Sequence, residues 1–145
     1  MASFNKFENF VEDLAEKVHN LTSDQLEIYL ALAAPSASAD AVKADLAEIA
    51  TGSGYTGPID TQNAGSETGG TYTLTGVSLT ITASGGAIAQ FRYIVLQNTT
   101  PTSPLDPLIG WWDYGSALDL ADGESLDVKF NGAAVSASGT IATLA

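Results

Sequence analysis

The sequence predicts a mainly β protein: an antiparallel β-sandwich or jelly-roll-like domain with an N-terminal amphipathic helix and one further short helix. Two observations support this fold class. Apolar side chains recur at helical spacing within residues 1–22, whereas the chain beyond Gly54 is rich in Thr and Ser, with short apolar alternations and glycine-bearing turns. A chain of 145 residues has room for one domain with a sizeable core. We therefore expect a single domain over 1–145, with 1–22 as a helical arm and 23–145 as the β-rich core.

The first helix is predicted over residues 3–19. The apolar residues of this segment recur at spacings of three and four, which is typical of an amphipathic helix: Phe4, Phe7, Val11, Leu14 and Val18. Ser3 is the expected N-cap, and Asn20 suits the end of the helix. His19 would then lie at the helix C-terminus, where the partial negative charge of the last carbonyls favours an imidazolium.

Residues 25–33 change to a period of two, which predicts a half-buried strand with Leu26, Ile28 and Leu30 on its inward face. Pro35 then breaks the pattern. Apolar residues return at helical spacing over 39–50, so we expect a short second helix there.

Further along, the segment from Phe91 to Leu96 is apolar on both faces apart from Arg92, which predicts a central strand. Arg92 therefore needs a carboxylate partner or an exit to solvent. A bulge or bend is expected at Gly76, where the alternation slips, and a hairpin turn at Asn131-Gly132.

Thr99 to Pro107 carries three prolines, at positions 101, 104 and 107. Each proline removes a backbone donor, so the segment is excluded from a sheet interior. We expect a stiff, exposed loop that suits contact with a partner.

Charge and composition narrow the function classes. The chain has five Lys and Arg residues and 17 Asp and Glu residues, so its net charge is −12. This negative charge repels the nucleic-acid phosphate backbone. The chain has no Cys, so disulfides and thiolate chemistry are excluded. No apolar stretch approaches the roughly 20 residues that cross a bilayer, and the first residues show no signal-peptide pattern. We expect no nucleic-acid binding, no membrane insertion and no secretory route.

Residues that could carry catalysis give no convincing site. His19 is the only histidine, and no G-x-S-x-G turn accompanies it. Asp106 and Asp113 could be read as a glycosidase pair, but nothing fixes their separation. The acids around Gly123 do not follow the calcium-loop spacing and also describe a solvated hairpin: Asp119, Asp122, Glu124 and Asp127. We predict no enzyme activity, no cofactor and no metal.

Trp111 and Trp112 are adjacent, and adjacent strand residues point to opposite faces. At most one indole fills the core beneath, and the other reaches an outer face, a neighbouring chain or a sugar. Both a core-plus-partner role and sugar stacking are open at this point.

Several segments together resemble a family of tailed-bacteriophage virion proteins, and the resemblance spans most of the chain. They are the opening run Phe4 to Leu21, Ala34-Pro35 with the acid-rich segment Asp40 to Ile49, Phe91 to Asn98, Leu108 to Gly115, Leu118 with Asp122 to Glu124, and Thr143 to Ala145. Within that family the chain is similar to the capsid decoration, or cement, class.

The resemblance implies a non-enzymatic protein that is made in the host cytoplasm and binds the outer surface of the mature capsid. Its partners would be the major capsid protein and further copies of itself, as a dimer or a trimer. The alternative is a tail or fibre module that binds host-surface glycan through Trp111 and Trp112. We expect partner contacts from the first helix, the proline-rich loop and exposed aromatic side chains, namely Phe4, Phe7, Pro101, Pro104, Trp112 and Tyr114.

Overall fold

The computed structural model describes residues 2–145, in which ten strands and one α-helix follow one another. They are β1 (Asn5–Lys6), α1 (Glu8–Ala15), β2 (Leu26–Ala31), β3 (Ile59–Asp60), β4 (Ala64–Thr68), β5 (Thr71–Val77), β6 (Leu79–Thr82), β7 (Ile88–Asn98), β8 (Leu108–Leu120), β9 (Ser125–Val128) and β10 (Ser138–Leu144). Short 3-10 turns occupy Lys43–Asp45 and Phe130–Gly132. The predicted fold class, mainly β with antiparallel sheets and an N-terminal helix, is confirmed.

The strands form two layers. The main sheet has the order β1-β8-β7-β2-β3, and every pairing in it is antiparallel. The second layer consists of β10-β5-β4 together with the pair β6-β9. Only Ser78 separates β5 from β6, so these two strands run on from each other across the second layer.

The central part of the main sheet, including residues 93–97 of β7 and 108–112 of β8, is covered on both faces. Side chains on its inner face, such as Ile28 and Trp112, pack with Leu74 and Ile141 of the second layer in the larger core cluster. Side chains on the opposite face belong to a smaller cluster that includes Tyr29 and Trp111 and is covered by residues of other segments. The prediction of a half-buried β2 is therefore corrected, because its second face is covered as well.

The N-terminal segment differs from the predicted helix over 3–19. Asn5 and Lys6 instead pair with Trp111 and Gly110 at the edge of β8. The Phe7 N–H donates to the Ile109 carbonyl at 3.1 Å, so the helix starts only after this contact. The helix ends at Ala15.

Within residues 2–145, no helix is long and apolar enough to cross a membrane.

The predicted helix at 39–50 is a single 3-10 turn. The Asp45 carboxylate accepts hydrogen bonds from the Ala41 and Val42 N–H groups at 2.9 and 3.0 Å. The Leu108 N–H donates to the Ala41 carbonyl at 2.9 Å, and the Ile49 N–H donates to the Leu30 carbonyl at 2.9 Å. These bonds to the side chain of Asp45 and to distant backbone replace the helical ladder.

Two further sequence predictions meet different outcomes. β7 is the central strand that the sequence indicates, with β8 on one side and β2 on the other. Asn131-Gly132 does not form a two-residue hairpin, because β9 and β10 pair with different strands and a 3-10 turn begins the connection between them.

Gly110 allows the N-terminal segment to lie against β8. A Cβ atom at this position would come within 2.4 Å of the Asn5 carbonyl oxygen and within 2.3 Å of the Phe4 ring. We predict that Gly110→Ala lowers the free energy of unfolding by about 1–3 kcal/mol, as overpacking does elsewhere. Urea denaturation measures the effect, with Ser116→Ala on the exposed part of the same strand as the control. Equal stability of Gly110→Ala and the parent chain would show that β1 is not held as described.

Candidate partner-binding surface

The loop at residues 99–107 is held at both ends by the backbone. The Thr99 N–H donates to the Gln25 carbonyl at 3.0 Å, and the Asn98 N–H donates to the Pro107 carbonyl at 3.0 Å. The three prolines restrict their own backbone angles. The loop joining β7 to β8 is therefore ordered without being part of the sheet, as the sequence predicts.

An exposed leucine lies near the tip of this loop. Leu105 is 64% exposed, more than Tyr114 at 52%, and an isolated antiparallel bridge joins it to Thr102. Pro101 and Pro104, two of the predicted contact residues, are half-buried beside it. Leu105 is not among the contact residues predicted from the sequence. An apolar residue inside a proline-rich loop that is predicted to be exposed is the signal that points to it.

The segment that covers the outer face of the main sheet also supports the loop. The Lys43 N–H donates to the Asp106 carbonyl at 2.9 Å, and Val42 forms an isolated bridge with Pro107. Leu46 of the same segment is buried in the smaller core cluster. The loop is thus tied to a segment that packs into the core.

The predicted aromatic contacts divide into buried and accessible residues. Phe7 is completely buried, and Trp112 is 6% exposed, which corrects the expectation that they lie on the surface. Both rings pack against other aromatic rings. The ring centroids of Trp112 and Phe4 are 5.3 Å apart, and those of Phe7 and Trp111 are 4.7 Å apart. Phe4 is half-buried against Trp112, and of the predicted aromatic contacts only Tyr114 is widely exposed.

These residues do not form one patch. Tyr114 lies six positions along β8 from Leu108, which is roughly 20 Å at the rise of an extended strand. Leu105, Pro101 and Pro104 lie together in the loop at residues 99–107. It is the candidate partner-binding surface.

Of the two outcomes predicted for Arg92, a carboxylate partner or an exit to solvent, the structure shows a carboxylate partner for a side chain that stays partly exposed. Its Nε and Nη2 atoms donate to the two carboxylate oxygens of Asp113 at 2.8 and 3.0 Å. This pair lowers the pKa of Asp113, helped by the Gly115 N–H, and raises the pKa of Arg92. Asp113 is therefore held ionised, which is unsuited to the general-acid role of a glycosidase pair.

The acids around Gly123 each have a local hydrogen-bond donor. Asp127 accepts from Thr80 Oγ1 at 2.6 Å, and Asp122 accepts from the Gly85 N–H at 3.0 Å. Glu124 accepts from the Ala121 N–H at 2.9 Å. Across residues 2–145, no three His, Asp or Glu side chains are grouped so that they could hold a metal ion.

His19 does not cap the helix, because α1 ends at Ala15 and the imidazole is buried. Asn98 Nδ2 lies 3.0 Å from His19 Nδ1, and the same amide donates to Asp24 at 2.7 Å. Since an amide nitrogen is a donor, the neutral ring accepts at Nδ1 and carries its hydrogen on Nε2. Burial lowers the pKa of His19, against the opposing charges of Asp13 and Asp24.

The chain matches no protein-family model, no curated protein and no solved structure.

The buried His19 predicts a pH dependence of stability. Because its pKa in the folded chain lies below the ordinary 6.5, the unfolded chain binds more protons as the pH falls past that value. The free energy of unfolding should therefore decrease between about pH 7.5 and about pH 5.5, a range in which ordinary carboxylates stay ionised. Urea titrations at both pH values measure the change.

His19→Asn is the matched variant for this prediction. Its Oδ1 atom is bonded to Cγ, as His19 Nδ1 is, so it can accept the Asn98 hydrogen bond but does not titrate. The variant should lose most of the difference between the two pH values. An equal pH dependence in both chains would assign the effect to other groups.

Proposed function

We propose that this chain is a non-enzymatic structural protein of a bacteriophage virion, and that it decorates the outside of the mature capsid. The resemblance of its sequence segments to virion proteins supports the class. The observation that carries the proposal is the ordered proline-rich loop that holds Leu105 in solvent. The partners under this proposal are the major capsid protein and further copies of the chain, as a dimer or a trimer, on a virion assembled in the host cytoplasm.

Leu105 has the properties of a binding anchor. Complete burial of a leucine side chain contributes about 1.5–3 kcal/mol. The loop is ordered by its base and its prolines, so binding costs less conformational entropy than ordering a flexible loop would. A small contact of this kind is weak alone, but an oligomer that presents several copies gains avidity.

Stabilisation of the capsid then follows from mass action. A protein that binds the assembled, expanded lattice and not the free capsid subunits lowers the free energy of the assembled state. This mechanism needs no catalytic group. It requires a contact surface that is stable before binding, and the loop supplies one.

The alternative, a tail or fibre module that binds glycan through Trp111 and Trp112, has less support. Sugar stacking requires an open aromatic face. Trp112 is buried between Phe4 and Phe130, with ring centroids 5.3 and 5.6 Å away, and Trp111 is half-buried against Phe7. Neither indole is presented as a free platform.

Leu105→Ser tests the proposed anchor. The variant should bind expanded capsids of the parent phage about tenfold or more weakly, because that is the effect of losing about 1.5–3 kcal/mol. Purified expanded capsids assembled without this chain are incubated with the parent chain or with the variant, and the bound fraction is measured by co-sedimentation. The unfolding midpoint of the variant should stay near that of the parent chain, since Leu105 is exposed.

Val135→Ser is the matched control, because Val135 is also exposed, at 39%, but lies outside the loop. It should bind like the parent chain. Failure of the parent chain to bind expanded capsids would overturn the proposed function. Binding that is unchanged by Leu105→Ser would leave decoration standing and remove the loop as its anchor.

A further inference from the structure

The two layers of the sandwich are open along one side. β1 and β10 are edge strands of the main sheet and of the second layer, and a cavity of about 570 Å³ lies between them. Apolar side chains from both layers line much of it, among them Phe4, Phe10, Leu74, Ile109, Ile141 and Leu144. On the opposite side the layers are joined, because the Thr61 N–H donates to the Leu26 carbonyl and the Thr61 carbonyl accepts from the Val77 N–H.

β10 offers an unused strand edge to this opening. Within residues 2–145, its seven residues pair only with β5. An edge strand presents N–H and C=O groups that another extended chain can bind. The cavity lies beside this edge, lined by residues 140–144 of β10 and by Lys6 of β1.

Exposed lysines lie on the same side. Of the five basic residues, Lys43 pairs with Glu48 at 2.9 Å and Arg92 pairs with Asp113. The other three form no ion pair within the described part of the chain: Lys6, Lys17 and Lys129. All three are exposed.

Two of these three lysines line cavities on the open side. Lys6 lines the central one, and Lys17 lines a neighbour of about 460 Å³ that shares Leu21 and Leu144 with it. Lys129 lines a separate cavity of about 340 Å³, beside Trp112 and Asp127. Two of the exposed cations of a chain with net charge −12 thus border one opening.

We propose that this opening binds an extended acidic segment of another protein, which adds as a strand to the free edge of β10. Alternate side chains of an added strand point to opposite sides, so apolar residues enter the central cavity while intervening carboxylates reach the lysines. The cavity supplies burial, the edge supplies backbone hydrogen bonds, and the lysines supply charge complementarity. Pairing of β10 with β10 of a second copy fits less well, since it would bring two sets of lysines together.

A synthetic peptide of alternating valine and glutamate tests this inference with the full chain. In NMR titrations its addition should shift the backbone amide signals of Lys6 and of residues 140–144. Binding should weaken strongly in about 1 M salt, where charges are screened beyond about 3 Å. A peptide of alternating valine and lysine should not bind.

Backbone methylation separates strand addition from simple charge attraction. Methyl groups on one alternate set of peptide nitrogens should abolish binding, because those N–H groups face β10, whereas methylation of the other set should have a smaller effect. Equal effects of the two methylated peptides would overturn strand addition. So would unchanged amide signals of residues 140–144 at saturating acidic peptide.

The lysines have a matched pair of variants. Lys6→Gln should weaken binding of the acidic peptide about two- to fivefold, the range of an exposed ion pair. Lys43→Gln removes a lysine that lines none of the three cavities and should leave binding unchanged. Equal effects of the two substitutions would contradict the location of the site. The result is independent of capsid attachment, which the Leu105 variant tests separately.

Discussion

The structure depends on covering both faces of the β7–β8 strand pair. Over residues 93–97 of β7 and 108–112 of β8, side chains on both faces are buried or half-buried, so this part of the sheet requires a layer on each side. The N-terminal segment meets this requirement at the edge of β8. Phe4 packs on Trp112 on one face, and Phe7 packs on Trp111 on the other. One short segment thus contributes an aromatic ring to each core cluster.

The second cover explains how the proline-rich loop is ordered. The segment that carries Leu46 into the smaller cluster also bonds to the loop through Lys43 and Val42. Burial of the main sheet and the position of Leu105 are therefore linked. A folded outer layer is a precondition for the proposed capsid contact.

Local patterns predicted the features whose causes are local. The period of two predicted β2, and the apolar run at residues 91–96 predicted a central strand. The charge of Arg92 in that strand predicted a carboxylate partner or an exit to solvent, and Asp113 is the partner. The prolines predicted the loop at residues 99–107. These signals depend on side chains that are close in the sequence or on a single charge within an apolar strand.

Other features depend on contacts between distant segments, which a single sequence does not reveal. The helical spacing at 39–50 was overridden because Ala41 and Ile49 bond to Leu108 and Leu30. The alternation of Trp111 and Trp112 predicted opposite faces, but not that phenylalanines cover both of them. The buried position of His19 also depends on a contact with a distant residue, because Asn98 hydrogen-bonds to its ring.

Capsid decoration is tested most directly by the location and copy number of this chain in intact virions, measured by cryo-electron microscopy and quantitative gel densitometry. We expect copies on the order of hundreds, arrayed on the head lattice with the loop at 99–107 against the capsid protein. A handful of copies at the tail, or none in the particle, would contradict it.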